Sequence, residues 1–151
     1  MPVSRAMRRL LQVLEIQEEE RRAAMESAHG ELHLLERAIA NSRERERAGR
    51  RLVASSAATG EVVDRIAGIE ESRASARRSS ALAVRIAEAQ EAVEVLRQAF
   101  LAKRVERRQT ETLIEETEAR DQVETERRGQ RDLDDWFLSR AETPAEKPRD
   151  P

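Results

Sequence analysis

The chain has 151 residues, of which 38% are charged and only 2% aromatic, and its 28 basic and 30 acidic residues give a formal charge of −2. This composition argues against one large globular core and is typical of long helices, with disorder as the weaker alternative. The near-neutral balance gives no general attraction to nucleic acid or an anionic membrane. With no cysteine, disulfides and thiolate metal sites are excluded.

The first predicted helix covers residues 4–56. Ser4 is the expected N-cap, because its hydroxyl can accept a hydrogen bond from the first turn. Gly30 and Gly49 are expected to soften this helix locally. Apolar positions follow in steps of three and four, the spacing of a coiled-coil seam that two polar residues (Glu18 and Arg21) interrupt: Met7, Leu11, Leu14, Glu18, Arg21, Met25, Ala28, Leu32, Leu35 and Ile39.

A turn is predicted at residues 57–60, at the end of a run of small residues. Gly60 can adopt the left-handed conformation that ends a helix, and Thr59 or Gly60 can cap the next one. The second predicted helix covers residues 61–140, and its serine-rich stretch 72–81 is its weakest part, where a bend is expected. Its seam spacing runs to position 100 and then dissolves: Leu82, Ile86, Ala89, Val93, Leu96 and Phe100.

Both seams fit an all-α fold, a two-helix antiparallel coiled-coil hairpin with a longer, overhanging second helix. A turn at 57–60 places residue i beside a residue near 117 − i. The predicted hairpin core is therefore Met25, Ala28, Leu32, Leu35, Leu82, Ile86, Ala89 and Val93. A second apolar cluster is expected under the turn, from Leu52, Val53, Val63 and Ile66.

The same register leaves the second helix without a partner from Leu113 to Arg140, an overhang of roughly 40 Å. Apolar residues there, including the only Trp, favour docking to another protein over folding back or self-association: Leu113, Ile114, Val123, Leu133, Trp136, Phe137 and Leu138. Residues 141–151 contain three prolines and are expected to be a disordered tail.

The sequence predicts neither catalysis nor a cofactor, because it has no phosphate-binding loop and no pocket-forming core. His29 and His33 have the spacing of a helical zinc pair, but Gly30 stands where a metalloprotease needs glutamate. We expect both to be solvated residues beside the seam, with no metal. Nucleic acid is not an expected partner, since aromatic residues that could stack on bases are nearly absent. No segment is apolar enough to span a membrane, and no signal peptide is evident, so we expect a cytoplasmic protein.

Three short motifs resemble those of the flagellar export protein FliJ family. Gln130-Arg-Asp-Leu-Asp-Asp-Trp136 resembles its C-terminal signature, in which a Gln-basic pair precedes an apolar residue, two acidic residues and an aromatic. Phe100 with the basic run Lys103–Arg108 resembles an upstream stretch of the family, and Leu11, Leu14 and Glu15 resemble its opening pattern. Type III secretion stalk proteins of the YscO kind share this layout.

The resemblance implies a coiled-coil hairpin similar to the central stalk of rotary ATPases. Its helix ends would insert into the hexameric ring of the export ATPase, FliI, while its body contacts the export gate protein FlhA and it escorts export chaperones. The residues implied for the ATPase ring are Met7, Leu11, Leu14, Gln130, Arg131, Leu133, Asp134, Asp135, Trp136 and Phe137. Family members often have an aromatic residue near the turn for the gate contact. This chain has no Tyr, so its gate-binding residues stay unassigned.

Four alternatives stay open. A virulence-type secretion stalk protein would have the same layout. A self-associating structural coiled coil would instead be a parallel dimer of extended helices. The remaining two are a nucleic-acid-binding coiled coil and an acidic partner held by Arg-rich patches at Arg43–Arg51 and Lys103–Arg108.

Overall fold

The computed structural model describes residues 3–141, and nearly all of them are helical. Helix α1 is Arg5–Thr59 and helix α2 is Val62–Ala141. The two helices pack against each other, which confirms the predicted all-α hairpin. No helix within residues 3–141 is long and apolar enough to cross a membrane. Of the predicted tail, residues 142–151 lie outside the described part of the chain.

The chain divides into two compact units. The hairpin unit is Ile16–Arg104, which contains the turn, and the terminal unit combines Met1–Glu15 with Val105–Pro151. Each helix contributes to both units, because α1 and α2 each run through a unit boundary. The candidate site predicted from the sequence falls wholly within the terminal unit.

The turn of the hairpin unit lies at Gly60 and Glu61, later than the sequence predicted. Gly60 has φ of 79°, as expected for a left-handed residue that ends a helix, and its N–H donates to the Ser56 carbonyl at 2.8 Å. α1 continues to Thr59 because the hydroxyls of Ser55, Ser56 and Thr59 donate to carbonyls of their own helix instead of ending it.

Glu61 takes the N-cap position of α2, which the sequence assigned to Thr59 or Gly60. Its carbonyl accepts the Arg65 N–H at 3.3 Å, the first hydrogen bond of the new helix. A hydrogen bond to Asp64 and the charge of that carboxylate raise the pKa of Glu61. Glu61 therefore holds a proton more readily than an isolated glutamate does.

Small residues line the helix interface over the half of the hairpin unit nearest the turn. Ser42, Ser56 and Ser75 are buried, and Ser75 is completely inaccessible. The Ser75 hydroxyl donates to the Glu71 carboxylate at 3.2 Å, so it does not compete for the helix backbone. The stretch 72–81, which was expected to bend, is a continuous part of α2.

The later turn shifts the register of the hairpin unit. Val53, predicted to lie beside position 64, contacts Gly68, and Arg22, predicted beside position 95, lies over the Phe100 ring at 5.6 Å. Moving the turn centre along the chain moves every partner on α2 in the same direction. The predicted cluster under the turn is consequently wrong, since Val63 is 79% exposed and Ile66 is 53% exposed.

The eight predicted core residues all lie on the inner faces of the two helices despite the shift. Leu32 and Val93 are buried, and the other six are half-buried, namely Met25, Ala28, Leu35, Leu82, Ile86 and Ala89. Of the two polar interruptions, Glu18 is buried and forms an ion pair with Arg22 at 3.9 Å. Arg21 is exposed. Only Glu18 therefore interrupts the packed interface.

Candidate functional site

The α1 side of the terminal unit contributes to the helix interface more than to the surface. Leu14 is buried, and Met7 and Leu11 are half-buried, so the three α1 residues implied for ring binding are in the packed seam. Between them Leu10 and Val13 are about half exposed. On this segment the apolar side chains that can meet a partner are Leu10 and Val13.

α1 begins as the sequence predicted. The Met7 backbone N–H donates to the Ser4 hydroxyl at 3.2 Å, which confirms Ser4 as the N-cap of α1. Arg8, in the first turn, forms an ion pair with Glu118 of α2 at 3.1 Å. α1 therefore starts beside residue 118, although the predicted register placed Arg8 beside position 109.

The unpartnered part of α2 is shorter than predicted. Ile114 is only 8% exposed, and Thr117 and Asp121 are half-buried, so α2 is packed as far as Asp121. The predicted start of the overhang at Leu113 is wrong by about two helical turns, and the cause is again the shifted register. We call residues 122–141 the C-terminal extension. At 1.5 Å per residue it is about 30 Å long.

Every described side chain of the C-terminal extension is exposed, from Gln122 to Arg140. Its large apolar residues keep about half or more of their surface open to solvent: Val123, Leu133, Trp136, Phe137 and Leu138. The seven ring-binding residues implied on α2 are all here, namely Gln130, Arg131, Leu133, Asp134, Asp135, Trp136 and Phe137. Within residues 3–141 no helix packs on this part of α2, so these apolar groups are available to a partner.

Trp136 and Phe137 form an aromatic pair at the end of the extension. Their ring centroids are 5.0 Å apart and the ring planes meet at 79°, an edge-to-face arrangement. The Arg140 guanidinium lies 4.5 Å from the centre of the Trp136 ring on its face, where a cation is attracted to the π system. These contacts are local, and they order the two rings while 49% of Trp136 and 63% of Phe137 stay exposed.

Ion pairs along the helix support the extension without a partner. Glu124 pairs with Arg128 four residues later, and Gln122 donates to Glu126 at the same spacing. One turn before the extension, Glu116 pairs with Arg120 at 3.5 Å. Each pair adds a few tenths of a kcal/mol to helix stability, and their side chains lie on the helix surface.

The apolar side of the extension does not continue the intramolecular seam. In steps of three and four, the seam positions Ile114, Thr117 and Asp121 lead on to Glu124, Arg128, Arg131 and Asp135, all charged. Val123, Leu133 and Phe137 fall on other positions, at spacings of ten and four that share a helix face. The extension thus has a charged face, which continues the seam face of α2, and an apolar face on another side of the helix.

The structure does not bring the two implied halves of the ring-binding site together. Gln130 and Phe137 are 12 and 19 residues beyond Glu118, about 18 and 28 Å along the helix axis. The Met7–Leu14 segment instead lies beside the packed part of α2. Near it, Val105 and Leu113 border an open groove on α2 together with Arg108, Gln109 and Thr112.

Within residues 3–141 no three or more His, Cys, Asp or Glu side chains cluster closely enough to hold a metal ion. His29 and His33 stack with ring centroids 6.5 Å apart, and His33 Nδ1 lies 3.0 Å from a Glu36 oxygen. His33 is exposed and His29 half-buried at the edge of the interface.

Sequence reasoning missed Leu10 and Val13 on α1 and the packing of Ile114. The signal for Ile114 was present, because steps of three and four continue past Phe100 through Lys103, Arg107, Thr110, Ile114 and Thr117. Long aliphatic stems allow Lys and Arg to occupy seam positions while their charges reach solvent. A prediction based on apolar residue types alone therefore ends the seam too early, at Phe100.

Comparison of the chain with protein-family models, curated proteins and solved structures finds no significant match. The resemblance to the FliJ family therefore rests on the three short motifs and on the arrangement of the helices.

Proposed function

We propose that this chain is a non-enzymatic stalk and adaptor protein of the flagellar type III export apparatus. In this role the C-terminal extension inserts into the ring of a FliI-like ATPase hexamer, and the hairpin links the ring to a FlhA-like export gate. The protein also escorts export chaperones. It acts in the cytoplasm, peripherally associated with the inner-membrane export apparatus.

The observation that carries the proposal is the exposed aromatic pair on an extension that no part of the described chain covers. Trp136 and Phe137 belong to the segment that resembles the family signature. Together with Leu133 they place three large apolar side chains near the end of α2. Buried Trp and Phe side chains supply much of the affinity of protein interfaces. A long helix ending in such a cluster fits a ring that surrounds a stalk.

In this proposal the residues of the terminal unit take different parts. Met7, Leu11 and Leu14 act indirectly, by packing α1 on α2, while Leu10 and Val13 are the exposed residues of that segment. On α2 the charged face of the extension offers Arg131 and Asp135, and the apolar face offers Leu133 and Phe137. Ring contacts therefore come mainly from α2.

The test is binding to a purified hexameric export ATPase, together with stimulation of its ATP hydrolysis. Trp136→Ala with Phe137→Ala is expected to weaken binding by roughly 100-fold, because two central aromatic anchors are removed. The matched control is Leu34→Ala with Val95→Ala, which removes exposed apolar side chains from the hairpin unit and is expected to leave binding unchanged. Equal binding by the aromatic double variant and the native chain would contradict the proposal.

One alternative, the parallel dimer of extended helices, conflicts with the fold, since α1 and α2 pack against each other within one chain. Sedimentation provides an independent measurement, with a monomer expected for the stalk. The choice between flagellar and virulence-type secretion follows from which of the two ATPases is bound more tightly.

A further inference from the structure

Positive charge is concentrated in one part of the hairpin unit. Residues 37–51 and 72–82 contain nine arginines, two glutamates and no other charged residue, a formal charge of +7. Since the whole chain carries −2, the remaining residues carry −9. We call these two segments the arginine belt.

The fold places the two segments of the belt side by side. A Cβ atom on Gly49 would lie 2.9 Å from the Ser72 backbone nitrogen and 3.2 Å from the Ser72 Cβ. Ser42 and Ser75, further from the turn, are both buried in the same interface. The residues in the interface between the two helices are small, so the helix backbones approach closely. Arginines on both helices therefore contribute to one surface potential.

Both glutamates of the belt are already engaged. Glu44 lies 2.7 Å from Arg51 and 3.5 Å from Arg47, and the hydrogen bond from Arg51, with the charges of both arginines, lowers the pKa of Glu44. Glu46 pairs with Arg50 at 2.5 Å. Three of the nine arginines are thus matched to carboxylates of the same helix.

The other six arginines are exposed and form no ion pair with any described residue: Arg37, Arg43, Arg45, Arg73, Arg77 and Arg78. Like charges at this density repel one another, so the folded chain gains from an anionic partner that neutralises them. The belt differs from the rest of the chain in its net charge, since the remaining residues together carry −9.

We infer that the arginine belt binds an acidic polypeptide segment. Guanidinium groups match carboxylates in bidentate geometry. The belt has no aromatic residue on which a base could stack. It also has no large exposed apolar side chain to insert into a bilayer. This site lies in the hairpin unit and does not depend on the proposed function.

The test uses fluorescent polyglutamate as the acidic polypeptide and measures its binding by anisotropy at low and moderate ionic strength. The belt variant carries Gln at Arg43, Arg45, Arg77 and Arg78. The control variant carries Gln at Arg5, Arg9, Arg21 and Arg127, which are also exposed and without an ion pair to any described residue. Both variants have the same net charge, and circular dichroism establishes that both are folded.

The native chain is expected to bind polyglutamate with an affinity that falls as salt is added, because exposed charges are screened. The belt variant is expected to lose affinity at least roughly tenfold and the control variant less than about twofold. Equal losses in the two variants would overturn the inference. So would tighter binding of oligothymidylate or of phosphatidylglycerol vesicles than of polyglutamate, since the preferred partner would then be a nucleic acid or a membrane.

Discussion

Gly49 and Gly68 lie against each other's backbones. A Cβ atom on either glycine would come within 2.7 Å of the carbonyl oxygen of the other. Neither residue has a left-handed backbone, since Gly60 alone has positive φ among the described residues. Both are glycines because the helices approach too closely for a methyl group, and this contact sets their separation near the turn.

Gly49→Ala and Gly68→Ala are each expected to destabilise the hairpin. Alanine improves helix propensity by about 1 kcal/mol, but its methyl group meets a backbone carbonyl that cannot rotate away. Overpacking of this kind costs typically 1–3 kcal/mol. We expect net losses of up to about 2 kcal/mol in urea unfolding followed by far-ultraviolet circular dichroism.

Gly30→Ala is the matched control, since a Cβ atom there meets nothing within 4 Å. Without a clash only the helix propensity changes, and the variant is expected to gain about 1 kcal/mol. Equal gains at positions 30, 49 and 68 would show that the helices are further apart at Gly49 than the structure has them.

The contact between Gly49 and Gly68 also shows which parts of the fold could be predicted from the sequence. Heptad spacing was sufficient to predict the hairpin and core residues such as Leu32 and Val93. A small shift of one helix along the other leaves the same residues in the interface. The spacing could not assign Gly49 to the interface, since a glycine in a helix usually indicates softness. The exact turn depended on whether Ser55, Ser56 and Thr59 would stay helical, which tertiary packing decides.

The candidate site was predicted less completely for a related reason. The exposed residues from Gln130 to Phe137 followed directly from the absence of a partner helix. The boundary of the packed region did not, because it depended on the register and hence on the turn. Ile114 was predicted to lie on the overhang, and only the register decides that it is packed.

Leu14→Ala and Leu10→Ala test which face of α1 is packed, with identical chemistry. Leu14 is 7% exposed and Leu10 is 50% exposed. Truncation of the buried leucine is expected to cost about 2 to 4 kcal/mol, and truncation of the exposed one less than about 0.5 kcal/mol. The measurement is again urea unfolding at equilibrium. Ile114→Ala should resemble Leu14→Ala, and Leu133→Ala should resemble Leu10→Ala. If Ile114→Ala were as harmless as Leu133→Ala, the overhang would begin at Leu113, where the sequence placed it.

Glu44 provides a prediction about pH. Its pKa is lowered in the folded chain, chiefly by the hydrogen bond from Arg51, so its contribution to stability is present above the ordinary glutamate pKa. That contribution is lost as the pH falls through the lowered pKa. Glu44→Gln is therefore expected to be less stable than the native chain at pH 7, with the difference vanishing once the pH is below the lowered pKa of Glu44.

Thermal unfolding of the two proteins across this pH range measures the effect. Glu20→Gln is a suitable control, because Glu20 is exposed and has no ion pair with any described residue. Its stability difference from the native chain should not follow the same pH profile. If the stability difference between Glu44→Gln and the native chain persists unchanged at low pH, the contribution of Glu44 comes from its packing and not from its charge.

Trp136 is the only tryptophan of the chain, so its fluorescence reports on the C-terminal extension alone. With 49% of the side chain exposed, the free protein is expected to emit at long wavelength and to be quenched by acrylamide. Addition of the export ATPase ring should shift the emission to shorter wavelength and protect it from the quencher. Phe137→Ala removes the neighbouring ring at 5.0 Å and should weaken this response, whereas Leu34→Ala in the hairpin unit should not. If the shift instead appears without ATPase as the protein concentration rises, a second copy covers the extension. The exposed aromatic pair would then be a self-association surface.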